Sequence, residues 1–260
     1  MRGWLPFYRT SWRLGLEGMA RRGALREALT RLAIPLDPSR YLEFPDVVRE
    51  LGAVRGDRVL DLASPKLVAV ELARRGADVT SVDALEREVA RWRCLTEGRR
   101  RLRFAVADGR ALPFADASFD RAYSISVLEH VPGKGDLQAL RELARVVRPG
   151  GRVVITVPYA GRYREDWRDE PMYGAQEPVN GRYFFERWYD DARLGELARA
   201  APGVRLVGTR ISRMSPNWHL LYLRTFPWLL PLGPLFGVLA HEREGPPGDV
   251  ARLTLERTAS

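Results

Sequence analysis

Between residues 58 and 157, short apolar runs alternate with segments whose apolar residues recur every three or four positions. The runs are typical of buried parallel strands, and the recurrence is typical of one helix face. Strands separated by helices of about ten residues form right-handed βαβ units, so the pattern predicts an α/β fold with a doubly wound, mostly parallel sheet. The predicted strands are 58–62, 78–83, 102–108, 119–127 and 152–157.

Acidic residues end three of these predicted strands, at Asp61, Asp83 and Asp108. Ligands of doubly wound sheets bind outside the carboxyl ends of the strands, near the point where the strand order reverses. Asp83 follows Asp61 by 22 residues, where a carboxylate can accept both ribose hydroxyls. Asp108 can accept from an adenine amino group, and Asp61 can help to hold a cationic ligand. Any one acid can instead cap a helix or face solvent, but three in register favour a nucleoside site.

Motifs from Val59 to Tyr159 resemble those of class I S-adenosylmethionine-dependent methyltransferases, in the small-molecule group called type 11. The resemblance implies a Rossmann-like sheet of seven strands with an antiparallel edge hairpin. Segments 204–213 and 249–258 can supply strands six and seven, after a helix near 190–201. The implied cofactor is S-adenosylmethionine. The motifs, in order, are Val59–Leu62, Ser81–Asp83, Ala107–Gly109 with Leu112–Phe114, Ser118–Asp120, Val127–His130 and Leu143–Gly151.

The first loop departs from the family, because residues 61–66 read Asp-Leu-Ala-Ser-Pro-Lys and contain no glycine. The methyl group of Ala63 disfavours the positive φ that glycine allows. Pro65 suits a first helical turn, and Ser64 can add a hydroxyl beside a helix N-terminus that attracts carboxylates. We expect a rebuilt pocket, with a non-catalytic methyltransferase-like protein as the alternative. The missing glycines also count against a dinucleotide dehydrogenase. The resemblance implies that the cofactor-binding residues are Asp61, Ala63, Ser64, Asp83, Ala84, Asp108, Gly109 and Ser126.

Methyl transfer requires few catalytic side chains, because the sulfonium is an activated donor and positioning of the acceptor supplies most of the acceleration. A general base is needed only where the acceptor is a hydroxyl or a similar acid. His130 is the candidate, since its ordinary pKa lies near neutrality. A histidine at this place in the resembling family is also often structural or faces the substrate.

The chain divides into a helical N-terminal cap, residues 1–50, and a methyltransferase domain, residues 51–260. Two apolar stripes around Gly23 predict two short helices, which pack as a lid or contact a membrane. No signal peptide is expected, because Arg9 and Arg13 interrupt the first apolar run. The stripes are Trp12, Leu16 and Met19, followed by Leu25, Leu29 and Leu32.

Residues 215–247 form an apolar insertion between the last two predicted strands. Its uncharged core, 225–240, is too short and too rich in proline for a spanning helix. The insertion can form a wall for a lipid-like substrate, enter a membrane surface, contact another subunit or fold onto its own domain. Arg224 and Arg243 flank it suitably for anionic headgroups. Aromatic residues crowding 159–189 can likewise form a substrate lid or cover the following helix.

Composition and charge limit the choice of partners and the location of the protein only in part. The net charge is +9, but only Lys66 and Lys134 among the 42 basic residues are lysines, which indicates a coding bias more than a nucleic-acid surface. Nucleic acid is therefore disfavoured as a partner, and a small-molecule or lipid-like acceptor, at an anionic membrane surface or away from one, is favoured. The lone Cys94 and three scattered histidines predict no disulfide framework, no metal and a cytoplasmic location.

Overall fold

The structure, a computed structural model, describes residues 3–21, 23–37, 40–173, 176–213, 243–244 and 250–258. The helices of this part are α1 (Leu5–Met19), α2 (Leu25–Ala33), α3 (Arg40–Leu51), α4 (Leu67–Arg75), α5 (Glu86–Leu95), α6 (Gly135–Val146) and α7 (Asp191–Arg199). The strands are β1 (Arg58–Leu62), β2 (Asp78–Asp83), β3 (Leu102–Val106), β4 (Phe119–Ile125), β5 (Val147–Pro158), β6 (Arg164–Arg168), β7 (Tyr183–Trp188), β8 (Val204–Arg213), β9 (Arg243–Glu244) and β10 (Val250–Arg257).

The main sheet has the order β3-β2-β1-β4-β5-β10-β8-β9. Strands β1 to β5 are parallel, whereas β10 runs antiparallel to both of its neighbours, β5 and β8. Seven long strands and the two-residue β9 therefore confirm the predicted fold class, with β8 and β10 as the predicted strands six and seven. The strand order reverses between β1 and β4, and this switch point marks the expected ligand edge.

Several predicted boundaries were wrong. Strands β3 and β4 end at Val106 and Ile125, so Asp108 and His130 lie beyond their strands. His130 instead ends a short 3₁₀ turn, Leu128–His130. Helix α6 begins at Gly135, and the buried carboxylate of Asp136 in its first turn pairs with Arg187 and Arg193.

The helices cover the sheet on both faces and bury one core on each. The first core joins the N-terminal helices to α4 and α5, with Phe7, Leu14 and Phe44 almost fully buried. The second joins α6 and α7 to the opposite face. The N-terminal helices therefore share the core of the sheet, and a buried hydrogen bond of 2.7 Å from Thr10 to Glu71 ties α1 to α4.

Most residues of the two apolar stripes face outward, whereas Leu32 is half-buried against α1. Trp12 and Leu16 of α1 are 48% and 67% exposed, and Leu29 of α2 is 50% exposed. The helices contact each other through other faces, where Gly15 and Gly18 allow α2 to approach closely. The N-terminal helices thus pack against the sheet domain, but mostly through side chains other than those of the stripes.

None of the helices in the described ranges is long and apolar enough to cross a membrane. The predicted insertion, 215–247, lies outside the described residues except for the two residues of β9.

Candidate cofactor and acceptor site

The first loop keeps a glycine-like conformation without a glycine. Ala63 has a φ of +51°, and its N–H donates to the carbonyl of Val82 at 2.7 Å. Ser64 is buried, where its hydroxyl donates to the Leu62 carbonyl and accepts from the Ile125 N–H, at 3.3 and 2.9 Å. Ala63 and Ser64 therefore link the ends of β1, β2 and β4 at the switch point.

Asp61 is fully buried below this loop. One carboxylate oxygen accepts from the Ser64 N–H at 3.1 Å, and the other accepts from the Ser81 hydroxyl at 2.6 Å. Burial raises the pKa of Asp61 above its ordinary value, and the nearby Lys66 ammonium opposes that rise. Because it is buried, Asp61 acts on a ligand mainly through its charge and by holding the backbone of the loop at Ser64.

Lys66 brings a buried positive charge to the site. Its Nζ lies 3.2 Å from Oδ2 of Asp83 and 3.6 Å from Oδ2 of Asp61, and the side chain is only 3% exposed. Among the described residues, this ammonium has no hydrogen bond of good geometry. It is therefore held between the two carboxylates mainly by charge.

Asp83 ends β2, and its remaining oxygen accepts from the Leu85 N–H at 3.0 Å. The next residue, Ala84, is exposed. The Asp83 carboxylate is therefore oriented by the backbone on one side and by Lys66 on the other.

Asp108 is exposed just beyond β3 and is engaged by Arg110. The guanidinium of Arg110 donates to both carboxylate oxygens, with the shortest contact at 2.7 Å, and holds the pKa of Asp108 below its ordinary value. Gly109 lies against Leu62, and a Cβ at this position would come within 2.9 Å of that side chain. Only glycine therefore fits there without a shift of Leu62.

Ser126, beyond β4, connects to residues far away in the sequence. It has a φ of +52°, and its hydroxyl accepts from the Arg40 guanidinium at 3.1 Å. Glu43 pairs with Arg40 and accepts from the Thr156 hydroxyl at 2.5 Å. Helix α3 thus brings a buried ion pair over the ends of β4 and β5.

Glu129 and His130 continue this cluster. Burial raises the pKa of Glu129 to about 8, and the neighbouring Glu43 carboxylate adds to the rise. Burial lowers the pKa of His130. Nδ1 of His130 lies 2.8 Å from the carbonyl oxygen of Phe185. A carbonyl only accepts, so Nδ1 carries the proton and Nε2 keeps its lone pair.

The β6–β7 hairpin covers His130. The imidazole lies 4.8 Å from the Tyr173 ring and 5.4 Å from the Phe185 ring, centroid to centroid. The Arg187 side chain of β7 is fully buried and contacts Asp136 at 3.1 Å. Some of the aromatic residues predicted in this region therefore do form a cover over the end of β4.

Sequence reasoning missed Lys66, Arg40, Glu43 and Glu129. Lys66 had a signal, since it is one of two lysines in an arginine-rich chain and stands in the altered loop. The spacing of Arg40 and Glu43 allows a helical ion pair, but their contacts with Ser126 had no signal, because contacts over more than 80 residues leave no local pattern.

The residues fit an S-adenosyl nucleoside. Carboxylates lie at or just beyond the ends of adjacent strands, the positive φ of Ala63 preserves the bend of the loop, and Gly109 keeps the backbone small next to Leu62. Lys66 is the one unusual component. Within the described residues, no group of three His, Cys, Asp or Glu side chains is placed to hold a metal ion.

Comparison with known proteins agrees with this geometry. Residues 60–155 match the family model Methyltransf_11, a methyltransferase domain. Methyltransferase GfsG of Streptomyces halstedii is 44% identical over 110 residues, which are 40% of this chain and 39% of that protein. A demethylmenaquinone methyltransferase of Mycobacterium sp. (strain KMS) is 42% identical over 139 residues, 51% of this chain and 54% of that protein. The matches therefore span roughly half of these relatives or less.

Solved structures share the fold over most of the chain. The 1,6-didemethyltoxoflavin-N1-methyltransferase of Burkholderia thailandensis, with bound 1,6-didemethyltoxoflavin and S-adenosylhomocysteine, has a TM-score of 0.55 and 20% identity, covering 97% of this chain and 86% of that one. The [4+2]-cyclase SpnF has a TM-score of 0.53 and 20% identity, covering 92% and 85%. At such identities the likeness concerns the fold alone.

The family match over residues 60–155 and the shared fold agree with the predicted resemblance to class I S-adenosylmethionine-dependent methyltransferases, the class for which S-adenosylmethionine is the expected cofactor. Within that class, residues 60–155 are a methyltransferase domain of the type 11 family.

Proposed function

We propose that the chain binds S-adenosylmethionine at the carboxyl ends of β1 to β3 and transfers its methyl group to a small molecule. The observation that carries this proposal is the position of the Asp61 and Asp83 carboxylates, which lie together beside Lys66 at the ends of β1 and β2. The loop that follows β1 bends at Ala63, which has a positive φ. Asp83 would accept the ribose hydroxyls, and Asp61, Ala63 and Ser64 would shape the methionine side. The positions of Ala84, Asp108, Gly109 and Ser126 suit the edges of the same site.

When bound, the cofactor supplies the electrophilic methyl group. His130 would take a proton from a hydroxyl acceptor through Nε2, since Nδ1 is committed to the Phe185 carbonyl. Its lowered pKa keeps this nitrogen unprotonated at neutral pH. The cover formed by Tyr173 and Phe185 would exclude water from the reacting atoms.

The acceptor class is small or lipid-like. Two arguments support it: relatives that are named for demethylmenaquinone methylation, and the aromatic cover over His130. The cluster of Arg40, Glu43 and Glu129 adds buried polar groups that can bind polar atoms of an otherwise apolar acceptor.

Titration of the purified protein with S-adenosylmethionine and S-adenosylhomocysteine by calorimetry tests the cofactor site. We expect Asp83→Asn to weaken binding at least about tenfold, because a charged hydrogen-bond acceptor is lost. Asp78→Asn is the matched control, since Asp78 stands at the opposite end of β2 and pairs with Arg101. Equal weakening by both variants would refute the assignment of Asp83.

A non-catalytic binding protein is the second candidate, favoured by the ammonium of Lys66 on both carboxylates. Absence of any binding at millimolar S-adenosylmethionine would decide for this candidate and against the methyltransferase.

We propose further that the protein binds to a membrane surface, and the exposed apolar residues of α1 and α2 support this. Arg9 and Arg26 are exposed beside them and have no ion-pair partner within the described ranges. Apolar side chains rimmed by arginines suit an anionic, cytoplasmic lipid surface. We expect co-sedimentation with anionic vesicles to fall in Leu16→Ser/Leu29→Ser and to persist in the solvent-exposed Val54→Ser. Equal sedimentation of all three proteins would remove the membrane from the proposal.

A further inference from the structure

The cofactor site contains a positive charge of its own. Lys66 stands at the N-cap position of α4 without a capping hydrogen bond from its side chain, and that side chain turns inward to Asp83 and Asp61 instead of toward solvent. Its Nζ atom is buried without a well-aligned hydrogen bond in the described part of the chain. An ammonium normally donates to carboxylates at about 2.7–2.9 Å, and both of its contacts are longer than that.

This ammonium changes the charge that a ligand meets. Asp61 and Asp83 together bring two negative charges to the ends of β1 and β2, and Lys66 neutralises one of them. A ligand that brings a further positive charge gains less attraction here than it would between two unpaired carboxylates. Burial of all three side chains makes the difference large, since solvent screens little at this depth.

S-adenosylmethionine and S-adenosylhomocysteine probe this charge directly. They share the adenine, the ribose and the amino-acid group, and differ by one methyl group and one positive charge on sulfur. Any contact that Lys66 makes with the shared groups affects both ligands alike. The ratio of the two dissociation constants therefore isolates what the Lys66 charge does to the sulfonium.

We propose that Lys66 is a specificity-determining residue of the cofactor site, which shifts its preference from the cationic sulfonium toward the neutral sulfide. The inference rests on the proposed function, because it requires S-adenosyl ligands to bind at Asp61 and Asp83. A preference for the neutral sulfide makes the protein sensitive to its own product, S-adenosylhomocysteine, and couples turnover to the removal of that product.

The test measures both dissociation constants by calorimetry for the unaltered protein, for Lys66→Met and for Lys134→Met. Methionine keeps the length of the side chain and removes the charge. Lys134, the only other lysine, is exposed at the start of α6 and gives the matched control. We expect Lys66→Met to shift the ratio of the two constants about tenfold toward S-adenosylmethionine, and Lys134→Met to leave it unchanged.

Each result decides. If Lys66→Met binds both ligands with an unaltered ratio, the inference fails and the cofactor site stands. If neither the unaltered protein nor Lys66→Met binds either ligand, the proposed function fails and takes the inference with it. Thermal unfolding shows whether Lys66→Met is folded, and Lys66→Gln replaces it if it is not.

Discussion

Glu129 and His130 are neighbours in the chain, and burial moves their pKa values in opposite directions. The pKa of Glu129 rises to about 8, and that of His130 falls below its ordinary value. Both shifts have one cause, because a low-dielectric environment disfavours whichever form is charged. Near pH 7 both side chains are therefore neutral, which lets an acid and a base lie side by side under the aromatic cover.

Glu129 makes the stability of the protein depend on pH. The folded state keeps the proton of Glu129 up to about pH 8, whereas the unfolded chain releases it near the ordinary value of 4.5. The stabilisation is complete below that ordinary value and is lost as the pH rises toward 8. We expect the free energy of unfolding, from urea titrations, to fall by about 1 kcal/mol per pH unit between pH 6.5 and 8 and to level off above that.

Glu129→Gln should remove most of this slope, whereas the exposed Glu97→Gln should keep it. The window above pH 6.5 is chosen because His130 acts at lower pH with the opposite sign. Parallel slopes in Glu129→Gln and the unaltered protein would show that Glu129 titrates normally.

At the scale of elements, the α1–α2 pair is assembled through glycines of α1 and Leu32 of α2, and not through the rest of the apolar stripes. A Cβ on Gly15 would lie 2.7 Å from the Leu32 side chain and 2.9 Å from the Ala28 carbonyl oxygen. Both faces of α1 carry large apolar residues, so periodicity alone does not tell which face is buried. Close approach through small residues selects the inner face and leaves Trp12 and Leu16 outside.

Gly15→Ala should destabilise the protein by about 1–3 kcal/mol through overpacking, which exceeds the roughly 1 kcal/mol that alanine gains in a helix. Gly195→Ala in α7 is the control, since its Cβ would meet only the end of the Arg199 side chain, at 3.2 Å. There we expect unchanged or higher stability in denaturant unfolding. A stabilising Gly15→Ala would contradict the packing described for α1 and α2.

At the scale of the molecule, a buried ion network joins the added β6–β7 hairpin to the sheet domain. Asp136 of α6 contacts Arg187 of β7 at 3.1 Å and Arg193 of α7 at 2.8 Å, and accepts from the Tyr189 hydroxyl at 2.9 Å. The same hairpin carries the Phe185 carbonyl that binds His130. The network therefore connects the placement of the catalytic candidate to the packing of two helices.

Asp136→Asn should cost about 3–5 kcal/mol, because it leaves buried arginine charge unneutralised. Asp116→Asn, at an exposed pair with Arg145, should change the unfolding free energy by less than about 1 kcal/mol. Loosening of the hairpin should also bring the pKa of His130, measured by NMR, closer to its ordinary value. An unchanged stability in Asp136→Asn would show that the network holds nothing in place.

The sequence by itself determined the βαβ alternation, the order of the motifs and the acids after β1 to β3, because these are local patterns with fixed periods. It also located β8 and β10 and the family of the domain. Only the tertiary structure decided which basic side chain each of these acids contacts: Lys66 contacts Asp61 and Asp83, and Arg110 contacts Asp108. The same holds for the joining of Arg40 to Ser126 and for the outward face of α1. These outcomes depend on contacts between distant segments and on the burial of charge, and neither is written in the spacing of residues along the chain.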